Sequence, residues 1–179
     1  MPFSIALIGA MASALIPVVG QNLQEGLDQI KHRSLNLMHL LFWMSIVLMV
    51  ISPYIFPVVF NPDFKDSSSI FNIYLLLLSS RILLPQTILI GLSETKIILY
   101  ASIVEVVINL TLSLYLLQDY GLEGIAFATI IAFGVEKLIL VVYTQQKLNI
   151  PLKSYLHWNW YLGYNGLLFG VFTLMEFYY

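Results

Sequence analysis

Between Ile70 and Gln118 the chain carries two long apolar stretches joined by the short polar turn Gly91-Leu-Ser-Glu-Thr-Lys96. About 20 apolar residues in helical form match the ~30 Å hydrocarbon core of a bilayer, so each stretch reads as one crossing. Arg81 lies near the middle of the first and Glu105 near the middle of the second, equally far in sequence from residue 93 in the turn. An antiparallel hairpin therefore brings the two charges to one height. Each costs at least ~2.5–3.5 kcal/mol at the bilayer centre, which makes the pair a candidate functional site.

Composition supports the membrane reading throughout. Hydrophobic residues make up 59% of the 179, and charged residues only 10%, against about 25% in a soluble domain. The net charge of -2 comes with no basic block, so nucleic acid is not an expected partner. The absence of cysteine excludes disulfides, thiolate metal sites and cysteine nucleophiles. No Lys or Arg precedes the first apolar run, so the charged region of a signal peptide is lacking.

Six runs have crossing length, at roughly 3–20, 37–60, 70–91, 97–118, 123–146 and 155–178. They lack the alternation of barrel strands, and lipid requires the backbone to satisfy its own hydrogen bonds. The expected fold is all-α: a single polytopic membrane domain over residues 1–179 with about six transmembrane helices. Lys31, Arg33, Lys96, Lys147 and Lys153 fall in the odd loops, which the positive-inside rule assigns to the cytoplasm. The first helix then starts on the outer side, as in the carboxyl-terminal part of a longer protein.

Individual segments carry further expectations. Ala6, Gly9, Ala10, Ser13 and Ala14 form a small-residue face on the first span, and Gly124, Ala128 and Ala132 another on the fifth. Residues 21–36 read either as an amphipathic surface helix or as an extension of the first span. Pro17, Pro53 and Pro57 predict bends, and Asn61-Pro-Asp-Phe-Lys-Asp66 an external turn. His32 and His39 lack a third metal ligand and read as interfacial histidines. Tyr155, Trp158, Trp160 and Tyr161 at one end of the last span, and Phe177, Tyr178 and Tyr179 at the other, predict aromatic belts.

At ~1.5 Å per residue, Glu136 and Lys137 of the fifth span lie at about the depth of Arg81 and Glu105. The four charges sum to zero. Ser102, Glu105, Asn109 and Ser113 form a polar stripe opposite Ile103, Val107, Leu110 and Leu114. Asn72, Ser79 and Gln86 make a second stripe on the third span; Arg81 projects from nearly the opposite side unless Pro85 disturbs the helix. Arg81, Glu105, Asn109, Glu136 and Lys137 are thus the candidates for substrate binding or ion coupling. One reading has Arg81–Glu105 and Glu136–Lys137 as packing ion pairs. The other has a wet cavity where a cation meets an anionic substrate and a carboxylate takes up a coupling proton or sodium ion. No catalytic or metal-ligand constellation is present, so the expectation is a non-enzyme with no cofactor.

Ala14-Leu-Ile-Pro17, Phe60-Asn-Pro-Asp-Phe64, Pro85-Gln-Thr-Ile-Leu-Ile-Gly91 and, most specifically, Tyr120-Gly-Leu-Glu-Gly-Ile-Ala-Phe-Ala-Thr129 resemble the polysaccharide biosynthesis proteins. These are oligosaccharide flippases of the multidrug, oligosaccharidyl-lipid and polysaccharide exporter superfamily. Asn61 stands where that family usually has glycine. The resemblance implies one lobe plus a flanking helix of a two-lobe flippase in the inner (plasma) membrane, corresponding to the eighth through thirteenth helices. It further implies alternating-access movement of a lipid-linked oligosaccharide, of the polysaccharide or O-antigen type, with ion coupling. The partners are then the lipid bilayer, that substrate, and an amino-terminal lobe or partner chain. A multidrug or cation exporter and a non-transporting membrane assembly subunit are the alternatives.

Overall fold

The computed structural model describes residues 2–59 and 67–178, and every regular element among them is helical. In chain order these are α1 (Pro2–Gln21), α2 (Leu23–Val59), α3 (Ser67–Leu75), α4 (Leu78–Arg81), α5 (Pro85–Gly91), α6 (Thr95–Gln146), α7 (Leu152–Tyr155) and α8 (Trp158–Tyr178). The protein is a polytopic all-α membrane protein. Among the described residues, α1, α2 and α6 are each long and apolar enough to cross a bilayer, and α3 through α5 qualify as a fourth span bent by 44°. The turn expected at 61–66 lies outside the described residues.

Asn22 separates α1 from α2 and caps the latter: its side-chain oxygen accepts the Glu25 amide at 3.3 Å. The polar segment 23–36 is therefore neither a separate surface helix nor an extension of the first span. It is the leading part of the second, because one buried stripe, Leu27, Ile30, Ser34, Met38, Leu41, Ser45 and Met49, runs through both. At helical spacing that stripe holds the 37 residues of α2 together as one element, which continues through Pro53 and Pro57. α1 likewise continues through Pro17.

The third span breaks twice. Leu76 and Leu77 form a turn between α3 and α4, and Leu84, with φ -115° and ψ 39°, leaves the helix immediately before Pro85. Proline disfavours the α conformation in the residue ahead of it and cannot donate a backbone hydrogen bond, so the chain restarts at α5. This break decides where Gln86 points.

α6 spans 52 residues, about 78 Å if straight and far longer than a bilayer is thick. It folds back at Gly121, whose φ of 56° and ψ of -139° suit glycine. The arms meet again at the far end: Tyr143 Oη donates to Glu94 Oε2 at 3.0 Å, and Leu89, Ala101 and Leu140 share a buried cluster. The arms also touch beside the turn. A Cβ at Gly124 would lie 2.4 Å from the Leu116 carbonyl oxygen, so Gly124→Ala is expected to cost about 1–3 kcal/mol through overpacking, read as a lowered thermal midpoint in detergent. Ala126, Ala128 and Ala132 are fully buried on the same arm. By contrast Ala6, Gly9, Ala10, Ser13 and Ala14 are exposed; α1 packs through Ile8, Leu15 and Val19 instead.

The main core is built on α2, where Met38, Leu41, Phe42 and Met49 meet Leu15 of α1, Ile73 of α3 and Leu168 of α8. Leu99, Ile103, Val107, Leu110 and Leu114 lie exposed along the outside of the first α6 arm, as a lipid-facing surface requires.

Candidate functional site

The charge-bearing elements meet where the broken third span crosses the α6 hairpin. α4 and α5 both pack on α6, which brings residues 79–86 against residues 129–140. Glu136 and Lys137 are buried, at 2% and 6% exposure. Lys137 Nζ lies 3.0 Å from Glu136 Oε2, an ionic contact outside hydrogen-bond geometry. Gln86 Nε2 donates to the other carboxylate oxygen at 2.6 Å. Neighbouring positions on a helix do not ordinarily face each other; here both side chains are buried and in contact, with Gln86 on the other carboxylate oxygen.

Arg81 does not meet Glu105. Its guanidinium sits over the Phe133 ring, 5.4 Å from the centroid, a cation–π contact of the kind that serves a cation without a carboxylate. Its Nε is buried and has no hydrogen-bond partner. The side chain lines a cavity of about 270 Å³ with Ser4, Phe71, Tyr74, Leu77, Leu78 and Thr129. α1, the α3–α4 segment and the second arm of α6 all contribute to it. Arg81 faces away from the stripe on its own span, as the helical period predicts: Asn72 accepts from Ser52 at 2.7 Å, Ser79 lines a different cavity, and Gln86, beyond the break before Pro85, serves Glu136.

Glu105 is half-buried on the inward face of its arm. Among the described residues it makes neither a hydrogen bond nor an ion pair, although Glu136 and Lys137 are near enough to act on it electrostatically. Asn109, one turn on, accepts from Ser113 Oγ at 3.2 Å. The polar stripe thus faces inward and Ile103, Val107, Leu110 and Leu114 outward, as the periodicity predicts. Of the five candidate residues, Glu136 and Lys137 are joined, Glu105 and Asn109 share a helix face beside them, and Arg81 occupies a separate pocket.

A second cavity, about 340 Å³, lies between α3–α4, the second α6 arm and α8, with Ser79, Ser80, Lys137, Trp158 and Tyr161 among mostly apolar walls. Tyr161 Oη anchors α8 by donating to the Ser79 carbonyl at 2.8 Å. Tyr155 is buried, at 1% exposure, and so belongs to the core and not to an aromatic belt. Trp158, Trp160 and Phe177 are exposed. His39 shares a hydrogen bond with Tyr164 and packs edge-on to Trp160, whereas His32 faces His157. Phe133 gave no sign in the sequence, because one apolar residue in an apolar run is indistinguishable from its neighbours. Gln86 did, through its place in the Asn72–Ser79 stripe.

Long apolar helices, one of them broken, with buried charges where the broken span crosses the α6 hairpin define a multi-pass membrane protein. The family model for the lipid II flippase MurJ matches residues 1–177, and the chain belongs to that family. It is also 27% identical to the probable low-salt glycan biosynthesis flippase Agl15 of Haloferax volcanii, over 93% of this chain. The chain spans 37% of the length of that relative. No solved structure matches.

Proposed function

We propose that this chain forms one lobe of a transporter that moves a lipid-linked oligosaccharide across the membrane by alternating access, with Arg81 receiving the anionic phosphate linkage. The supporting observation is the Arg81 pocket: a guanidinium within the third apolar run, without a carboxylate partner among the described residues, with an unsatisfied Nε and Phe133 as its counter-face. Retaining such a group in lipid is costly, and a transported anion offsets the cost when it binds. The opposing wall comes from a second lobe, which the exposed small-residue face of α1 admits closely. Membership of a flippase family favours a lipid-linked cargo over a drug.

In the complete transporter, Arg81→Ala is expected to abolish translocation of the lipid-linked oligosaccharide at unchanged membrane abundance. Arg81→Lys is expected to retain part of the activity, since a point charge replaces a planar fork. Full translocation by Arg81→Ala would remove the substrate contact. A fall in abundance matching the fall in transport would make Arg81 a packing residue.

A further inference from the structure

The end of the molecule formed by the α1–α2 junction, the α5–α6 turn and the residues around α7 holds a pocket that the translocation site does not use. Lys31 of α2, Lys153 of α7, His157, Asn159 and the Trp158 and Trp160 rings line about 360 Å³, within the size range of small-ligand sites, about 300–1,000 Å³. The two lysines come from segments more than a hundred residues apart in sequence, brought together where α2 packs on α7. Neither ammonium is ion-paired among the described residues, where the one salt bridge is Glu136–Lys137.

No carboxylate lines this pocket. At the same end, Glu25 is engaged by Gln29 at 3.1 Å and Glu94 by Tyr143, while Asp28 is exposed one turn before Lys31. His157 Nε2 is shielded from solvent and has no hydrogen-bond partner. His32 lies beside it, its ring centroid 6.2 Å from that of His157. In the tautomer with the proton on Nε2, that nitrogen can donate to an anionic oxygen.

We propose that this pocket binds a phosphate group, with Lys31 and Lys153 as its charge partners and His157 as a directed donor. Lysine is a suitable point charge for phosphate. The exposed Trp158 and Trp160 rings place the pocket at headgroup depth, so a phospholipid such as phosphatidylglycerol is one source and a soluble phosphate ester the other. The site is independent of the Arg81 reading.

The test uses the full chain in phosphatidylcholine nanodiscs containing phosphatidylglycerol, with bound lipid read by native mass spectrometry after release. The expected result is retained phosphatidylglycerol, bound roughly 30-fold more weakly by the double variant Lys31→Ala/Lys153→Ala, at about 1 kcal/mol per basic residue near the surface. The control Lys96→Ala/Lys147→Ala removes equal charge from the same end outside the pocket and is expected to keep the lipid. His157→Gln, which retains a donor, is expected to bind more tightly than His157→Ala. Binding of glycerol 3-phosphate alone, lost in the lysine double variant, would assign the phosphate to a soluble source and uphold the site. Equal loss in both double variants, or no binding of either probe, would overturn it.

Discussion

Lys137→Met is expected to destabilise the protein by about 3–5 kcal/mol, the loss typical when one partner of a buried ion pair is removed. Methionine keeps most of the lysine stem, so the experiment isolates the charge from the packing of the apolar cavity that Lys137 borders. What remains is a carboxylate at 2% exposure whose hydrogen bond from Gln86 Nε2 at 2.6 Å does not neutralise it. Adding Glu136→Gln removes the orphaned charge and leaves a carbonyl oxygen able to accept from Gln86. The double variant Glu136→Gln/Lys137→Met is therefore expected to regain the wild-type thermal midpoint, because well-packed neutral groups commonly match or exceed a buried pair. A double-mutant cycle by unfolding in detergent separates these terms. Wild-type stability in Lys137→Met alone would show that the pair holds nothing together.

The neighbourhood of the charges and the facing of Arg81 and Glu105 were legible in the sequence; the partner of each side chain was not. Apolar run length and the polar turns fix depth, since rise along a helix is regular. That logic placed a turn between the runs 97–118 and 123–146, where Gly121 folds the chain back, and put the polar stripe of Ser102, Glu105 and Asn109 opposite the apolar face that lies exposed. A shared partner for a whole stripe depends on an unbroken 3.6-residue period, and the third span does not keep it. The interruptions at Leu76–Leu77 and before Pro85 divide the span, and Asn72, Ser79 and Gln86 reach three different neighbours, while Arg81 faces away from Ser79 as the helical period already predicts. Pro85 carried the signal, but not the partner each side chain would choose. The Asn22 cap was equally visible as an Asn three residues before Glu25, an N-terminal signature for α2. The small-residue face of α1 shows the opposite limit: its spacing predicts close packing, yet no element among the described residues covers it.

Glu105→Gln is expected to abolish the dependence of transport on an imposed proton or sodium gradient in proteoliposomes of the complete transporter. The argument runs from the other charges at the crossing. Glu136 and Lys137 neutralise one another, and Arg81 is turned to Phe133. Glu105 is left half-buried on an inward polar stripe, without an ion pair or hydrogen bond among the described residues, and within electrostatic reach of the Glu136–Lys137 pair. We propose that Glu105 takes up the coupling cation, on the helix face it shares with Ser102 and Asn109. Uptake and release of that cation couple to cargo binding only if they favour different conformations, a linkage typically worth about 1–3 kcal/mol or 5- to 150-fold in affinity. Glu105→Asp keeps the charge and is expected to retain gradient dependence with a shifted cation affinity, while Glu105→Gln is expected to leave only gradient-independent exchange. Unchanged stimulation by both gradients in Glu105→Gln would move the coupling site off this helix. Loss of stimulation in Glu136→Gln/Lys137→Met, with Glu105 intact, would move it to the buried pair.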